Sequence, residues 1–341
     1  LADHLELPIV PEYAAGLAQF RAGNTLNFGV QDTDILQTKK DIPALQMLQS
    51  SFNVLWYNSW FGYNGNSPFK DERVRQAIAM SYDRDLWIDT INNTKQYSDV
   101  GLPIQKRFHS HISSGLDGWW VDPQDEKAFG ANSKYFKFDL PEAKKLLSAA
   151  GYGGNDVIMH HINTAQYGRT FVDQVNIQIG FMSDLGIKNK IDNPDYQTDW
   201  LNKYYYGKGG FEGMALGADN TDADIGAFLY ARFHPQGARF KGFDPAGLDP
   251  KAGDPALTKM MESIRTEFDT DKRKEIAKQI QQYLAKAMYT VPFPGQAAGF
   301  SLNWPALGNA GVYQFGSNYG YGTETTIYNW LDKSKPPYTK S

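Results

Sequence analysis

"SPFKDERVRQAIAMSYDRDLWIDTINN", residues 67–93, sets two helix starts and several basic side chains in one turn-delimited block. Asp71 stands where an N-cap carboxylate meets the free N–H groups of a first helical turn. Val74, Ala77, Ile78 and Ser81 then recur at helical spacing and share one face. Asp83 caps a second helix that turns Leu86, Trp87 and Ile91 inward. Arg75 and Arg84 lie off these faces. Spacing alone gives them a structural part, paired to acids or solvated, and leaves open whether either grips a ligand.

Outward from this block the chain alternates helices and strands. Upstream, residues 11–24 read as a helix opened by Pro11 and closed by Gly23, and "TLNFGV" as a short strand. "FNVLWYNSWFGY" is an aromatic, β-rich run that predicts an extended segment inside a sheet. Residues 94–138 form a long irregular stretch with too few periodic apolar positions for a core of its own, and are expected to lie against the main lobe. "DLPEAKKLLSAAGYGG" is a short helix with Asp139 and Glu142 at capping-box spacing and Gly151 as its stop. Strand and helix then alternate through "DVIMHHIN", "GRTFVDQVNIQIGFMSDLG", "IKNKIDN", "QTDWLNKYYYG", "FEGMALG" and "TDADIGAFLYARF". That pitch predicts an α/β domain with a largely parallel sheet. A Gly/Pro-rich loop leads to a helical pair, the second capped by Thr270. Short strands follow, and the polar tail after Trp330 is expected to fray.

Length and composition bound the function. A chain of 341 residues is long enough for about two domains. It carries a net charge of −4, which gives no electrostatic footprint for nucleic acid or an anionic membrane. No apolar run is long enough to span a bilayer. Zero cysteines remove disulfides, thiolate metal sites and cysteine nucleophiles together. The chain opens on Leu1 instead of Met, so its start is expected to be a processed, cloned or truncated end. Aromatic residues make up 14%, with 8 Trp, 20 Tyr and 20 Phe, a surplus that suits stacking surfaces in a cleft as well as large cores.

No catalytic signature stands out: there is no G-x-S-x-G, no H-E-x-x-H, no P-loop and no G-x-G-x-x-G after a strand. Carboxylates are plentiful, but nothing singles out a glycosidase pair. His160 and His161 are strand neighbours facing opposite ways and cannot easily share an ion; His109 and His111 could, without a third ligand in view. They are expected to be solvated or hydrogen-bonded loop residues. "DNTDAD", residues 219–224, mimics a calcium loop counted from Asn220. Its sixth place is Ile225 where Gly is needed and its twelfth Ala231 where Glu is needed, so no EF-hand forms. What remains is an acidic cluster between a strand end and a helix start, where open α/β sheets place ligands. N-capping by Thr221 or Asp222 explains part of it. Asp219, ahead of the cap, is less readily explained that way.

These stretches together resemble the family 5 extracellular solute-binding proteins, the oligopeptide- and dipeptide-binding receptors of ABC importers. "SPFKDERVRQAIAMSYDRDLW" is similar to that family's PF-x-D-x-x-VR-x-A core. "YAAGLAQFRAGNTLNFGV", "YFKFDLPEAKKLLSAAGY", "DLGIKNKI" and "ADNTDADIGAFLYARF" match further family elements in the same chain order.

The resemblance implies a two-lobed, type II periplasmic-binding-protein-like α/β fold. Residues 1–50 and 294–341 would belong to a partial lobe I, and 51–293 would form a complete lobe II whose two ends lie side by side. Family chains are longer, so a fragment or cleavage product is expected. In the family the VR-x-A helix is scaffold, which makes Arg75 and Arg84 packing residues. The acid that receives a peptide α-amino group maps to Asp219, with Asn220 beside it, although the family's tryptophan three residues earlier is Leu216 here. Asn163 matches a polar pocket position, and Tyr196, Gln197 or Trp200 stands in for a cleft tryptophan. The implied protein is no enzyme and needs no cofactor or metal. It captures a small peptide at the periplasmic or extracellular face, works as a monomer with ABC permease subunits, and touches the membrane only through an anchor outside this chain. Nucleic acid has no part. An oligosaccharide ligand on the same receptor, or a carbohydrate-active enzyme, are the alternatives.

Overall fold

In the computed structural model, residues 4, 6, 8–54, 56–219, 224–244, 249, 251–312 and 328–339 are described. Among the described residues, eleven α-helices and nine strands frame the two units named below. The helices are α1 (Tyr13–Arg21), α2 (Asp32–Asp41), α3 (Glu72–Met80), α4 (Arg84–Asn92), α5 (Thr94–Asp99), α6 (Glu126–Phe129), α7 (Leu140–Ala149), α8 (Thr164–Leu185), α9 (Ile225–Phe233), α10 (Pro255–Thr266) and α11 (Thr270–Ala287). The strands are β1 (Gln46–Gln49), β2 (Trp56–Phe61), β3 (Lys106–Phe108), β4 (Val157–His160), β5 (Asn189–Asp192), β6 (Met214–Asp219), β7 (Thr290–Pro292), β8 (Gly295–Ala297) and β9 (Phe300–Asn303). None of the described helices is long and apolar enough to cross a membrane.

The chain divides into two compact units: residues 1–52, 88–106 and 297–341 in one, and 53–87 and 107–296 in the other. This differs from one unbroken span over 51–293, because 88–106 join the first unit. Tyr97, wholly buried, packs there with Phe20, Ile35, Leu45, Leu302 and Trp304, and Leu102 and Ile104 lie against the same cluster. Its hydroxyl donates to Asp32 O at 3.1 Å. Only one bridge, Asn27 to Asn303, forms where "TLNFGV" predicted a strand. The tail does not fray where it is described: Asp332 N donates to Ala306 O at 2.8 Å, and Ala306 N to Pro336 O at 3.0 Å.

The second unit is built on a five-stranded sheet in the order β5-β4-β6-β2-β7. β4 is parallel to β5 and β6, while β2 is antiparallel to both β6 and β7. Four strands therefore run one way and β2 alone is reversed. β2 lies at the start of this unit's first segment and β7 near the end of its last, and these two neighbouring strands run opposite ways. Phe293 N donates to Tyr57 O at 2.9 Å, which sets the two ends of the unit side by side.

Caps explain where the helices begin and end. Asp71 accepts from Arg73 N, Asp139 from Glu142 N, and Asp83 from Leu86 N. The caps of α9 and α11 are Asp224 and Asp269, one residue ahead of each helix; Thr270 is already helical, and Thr221 and Asp222 lie outside the described residues. Gly151, at φ +70°, closes α7 with Tyr152 N donating to Leu147 O, a turn that needs the left-handed region.

Helix α3 is buried along residues 74–80, so Arg75 is neither solvated nor acid-paired. Its Nε and Nη2 donate to Ala287 O at 2.9 and 2.7 Å, and Nη1 donates to Phe69 O. Arg84 is likewise 3% exposed, donates to Tyr82 O at 3.3 Å and lies 5.3 Å from the Phe136 ring centre. Burial lowers its pKa to about 9. Leu86 points outward, 55% exposed, and Ile88 takes the inward place beside Trp87 because α4 is rotated from the expected register.

His109 and His111 are buried rather than solvated. His109 Nδ1 accepts from Ser114 N at 3.1 Å, and His111 Nε2 meets Thr290 O at 2.9 Å. Among the described residues no cluster of metal-ligating side chains forms.

Replacing Arg75 by Met strips partners from two buried carbonyls and is expected to destabilise the chain by roughly 2–3 kcal/mol in urea denaturation. Burial also lowers the pKa of His109 to about 3 and of His111 to about 4. The unfolded chain takes up these protons below about pH 6.5, ahead of the native state. Their contribution is therefore complete above that pH and is lost as pH falls toward 4. Urea midpoints across this window should drop, and less steeply in His111→Asn.

Candidate ligand-binding site

The sheet of the second unit has one edge where β4, β5, β6 and β7 end and β2 begins. Because β2 is reversed, its register sets Trp56 opposite Asp219 and Tyr57 opposite Ala218. The period-2 alternation of the aromatic run then splits its rings. Tyr57 goes to one face and Asn58 and Trp60 to the other.

On the first face, Tyr57 packs on Phe171 at 5.0 Å, Phe293 at 5.7 Å and Tyr167 at 6.3 Å between ring centres. Tyr167 meets Tyr196 edge-on at 6.2 Å. Tyr57, Tyr167 and Tyr196 are half-buried, so they form a shelf with one side still open. Burial raises the pKa of Tyr57 and Tyr167, keeping both phenols neutral. Gly168, at φ +78° and ψ 173°, interrupts the start of α8 immediately after Tyr167 and swings that ring over the strand ends.

On the second face, residues 196–205 form a π-helix in place of the α-helix that the spacing suggests. Trp200 N donates to Asp195 O at 2.8 Å and Tyr206 N to Leu201 O at 2.9 Å, five residues back in each case. Such segments are rare and recur at functional sites. Here the wider turn brings Trp200 and Tyr205 onto Trp60, at 5.7 and 5.6 Å. Gly217 makes this possible, since a Cβ there would collide with the indoles of Trp200 and Trp60.

Asp219 ends β6 and is 2% exposed. Arg232 Nη2, from α9, lies 2.5 Å from its Oδ1. The Arg232 guanidinium also sits 3.8 Å over the Phe228 ring. Lys241 is buried beside them, with Nζ 3.6 Å from the Trp60 ring centre and 4.3 Å from that of Tyr205. It donates to Tyr205 O at 3.0 Å. Desolvation lowers the Lys241 pKa to about 7, with attraction to Asp219 opposing the shift.

The residues singled out in the sequence scatter unevenly over this edge. Asp219 and Trp200 converge through Gly217, but Trp200 is wholly buried and forms an inner wall. Tyr196 joins the open shelf. Asn163 lies exposed at the exit of β4, on the same edge. Asn220 lies outside the described residues. Leu216 is buried, on the face of β6 that Tyr57 shares, so it occupies no stacking position beside Asp219. The sequence does not single out Arg232, Lys241 or Tyr167. Nothing in their spacing points to Asp219, whereas alternation within "LWYNSWF" already separates Tyr57 from Trp60. His160 is engaged elsewhere: its Nδ1 meets Asp192 Oδ2 at 2.7 Å, its Nε2 meets Glu212 O at 2.8 Å, and its ring stacks on Tyr204.

The comparisons agree with this architecture. Residues 1–240 match the bacterial extracellular solute-binding proteins, family 5 Middle, and the chain belongs to that family. Among solved structures it is similar to the oligopeptide-binding protein AppA from Bacillus subtilis in complex with a nonapeptide, at 15% identity and a TM-score of 0.67, over 95% of this chain and 60% of that one. It is also similar to the periplasmic binding protein DppA from Helicobacter pylori in complex with the peptide STSA, at 18% identity and 0.67, over 95% and 56%. NikZ from Campylobacter jejuni in complex with Ni(L-His) matches at 15% and 0.68, over 95% and 60%. At these identities the likeness shows the fold. The chain spans 56–60% of the length of these structures. A search of curated proteins found no match.

Gly217→Ala should drive the two indoles apart, costing about 1–3 kcal/mol of stability as overpacking does. A red-shifted tryptophan emission from the folded variant would report that the Trp60–Trp200 wall has opened.

Proposed function

We propose that this chain is the ligand-capturing part of a substrate-binding protein serving an ABC importer outside the cytoplasm, and that its ligand is a peptide. In this reading the second unit is lobe II, and the first unit belongs to lobe I. The observation that carries it is that a half-buried tyrosine shelf and the buried Asp219 carboxylate both lie at the carboxyl edge of one α/β sheet, on its two faces, the place where such folds take ligands. Family membership supports capture over catalysis. Tyr57, Tyr167 and Tyr196 supply apolar surface, Trp200 backs the wall, and Asn163 stands at the rim; Asn220, assigned from the family resemblance, lies outside the described residues. Asp219 anchors the peptide ammonium. A carboxylate accepts several hydrogen bonds, so an ammonium can join Arg232 on it.

The test is calorimetry with trialanine, N-acetyl-trialanine and maltotriose, followed by chromatography of the recovered pool. A receptor returns every compound unchanged. Asp219→Ala should weaken trialanine roughly 10- to 100-fold, because a hydrogen bond to a charged group contributes about 1.5–3 kcal/mol. Acetylation should weaken the wild type comparably and add little to the variant. Tight maltotriose binding with no response to peptides would favour an oligosaccharide on the same shelf, and turnover of any compound would overturn the receptor reading.

A further inference from the structure

Lys241 is a cation buried where the proposed ligand brings another. It reaches this place from the loop after α9. Lysine is rarely buried so completely, and the surroundings show what compensates it. Its ammonium faces two aromatic rings, Trp60 from β2 and Tyr205 from the π-helix, at cation–π distance. One carbonyl, Tyr205 O, accepts from it. The charged and titratable groups that act on it are Asp219 from β6, Arg232 from α9 and Arg239 from the loop, with Asp219 attractive and both arginines repulsive. The Tyr205 hydroxyl feels the same three groups. Nearby Lys208 turns its amine away, to Pro235 O at 3.2 Å.

We propose that Lys241 is an internal competitor for the ligand ammonium: it fills the Trp60–Tyr205 cage beside Asp219 with the chain's own cation, and so sets how strongly the site accepts a peptide amino terminus. This rests on the peptide reading above. A protonated Lys241 repels an arriving ammonium and shares the field of Asp219 with it. A neutral Lys241 does neither. Burial brings the change between the two forms close to neutral pH. Affinity for a free amino terminus should therefore rise as pH rises through about 7. Affinity for a blocked peptide should not.

The experiment measures dissociation constants of trialanine, referred at each pH to its ammonium form because a peptide α-amino group itself loses its proton near pH 8, and of N-acetyl-trialanine, for the full chain at pH 6.0, 7.0 and 8.0, in wild type, Lys241→Met and Lys241→Arg, with circular dichroism confirming that each variant is folded. Lys241→Met should bind trialanine roughly tenfold tighter than wild type at pH 6.0 and lose the pH dependence, as expected from removing a like charge at short range. Lys241→Arg keeps a permanent cation and should bind weakly at all three pH values. N-acetyl-trialanine should distinguish neither variant from wild type. If wild type binds trialanine equally at every pH and Lys241→Met leaves that affinity unchanged, Lys241 is only a packing residue while the peptide reading stands. If neither peptide binds any of the three proteins, both readings fall. Should either variant fail to fold, the wild-type pH series decides alone: an affinity for trialanine that is flat between pH 6.0 and 8.0 overturns the proposal.

Discussion

The guanidinium of Arg75 holds the second unit together at the point where its helices meet. Two of its nitrogens donate to Ala287 O, at the last residue of α11, and Gln76 Nε2 donates to Lys286 O at 2.8 Å. A cation at a helix C-terminus meets the negative end of the helix dipole and carbonyls that have no partner within the helix. Arg75 also lies over the ring of Tyr289, at 5.2 Å. The Tyr289 hydroxyl donates to Asp254 Oδ2 at 2.8 Å, and Asp254 Oδ1 caps α10. One buried arginine thus closes the end of α11 and lies over Tyr289, whose hydroxyl holds the residue that caps α10. The side chains that most look like ligand contacts in the sequence are structural for this reason.

The candidate site depends on that framework. With β7 fixed next to β2, Phe293 stands beside Tyr57, and the reversed β2 delivers Tyr57 to the edge at which β6 delivers Asp219. Rings from four separate chain segments then meet over the strand ends. The opposite face is closed by a π-helix whose wider turn seats Trp200 over a glycine. A buried carboxylate, a buried arginine and a caged lysine share this corner. The carboxylate compensates both cations there: removing it from a low-dielectric pocket would leave two buried positive charges without their anion.

Much of this was legible in the chain itself. Caps at Asp71, Asp83 and Asp139, the stop at Gly151, the strand–helix alternation and the family resemblance all depend on residues within a few positions of one another. Their physical causes are local, such as free N–H groups at a helix start or a backbone angle only glycine adopts easily. The same holds for placing Asp219 at the end of a strand. The register of α4 is less legible in the sequence. Leu86 and Ile88 both suit a buried face, and only the surrounding packing chooses between them.

Tertiary structure alone decided the rest. The sequence determined which segments become helices and strands, and that an acid ends the β6 strand. It could not determine that Arg232, thirteen positions on, would neutralise that acid. Nor could it show that Lys241 would enter an aromatic cage, or that residues 88–106 would leave their neighbours to complete another core. Charge pairing and ring stacking act through space over a few ångströms, with no periodicity along the chain to announce them. Burial then makes those pairings obligatory, because a charge taken out of water must find a partner wherever the fold has placed one.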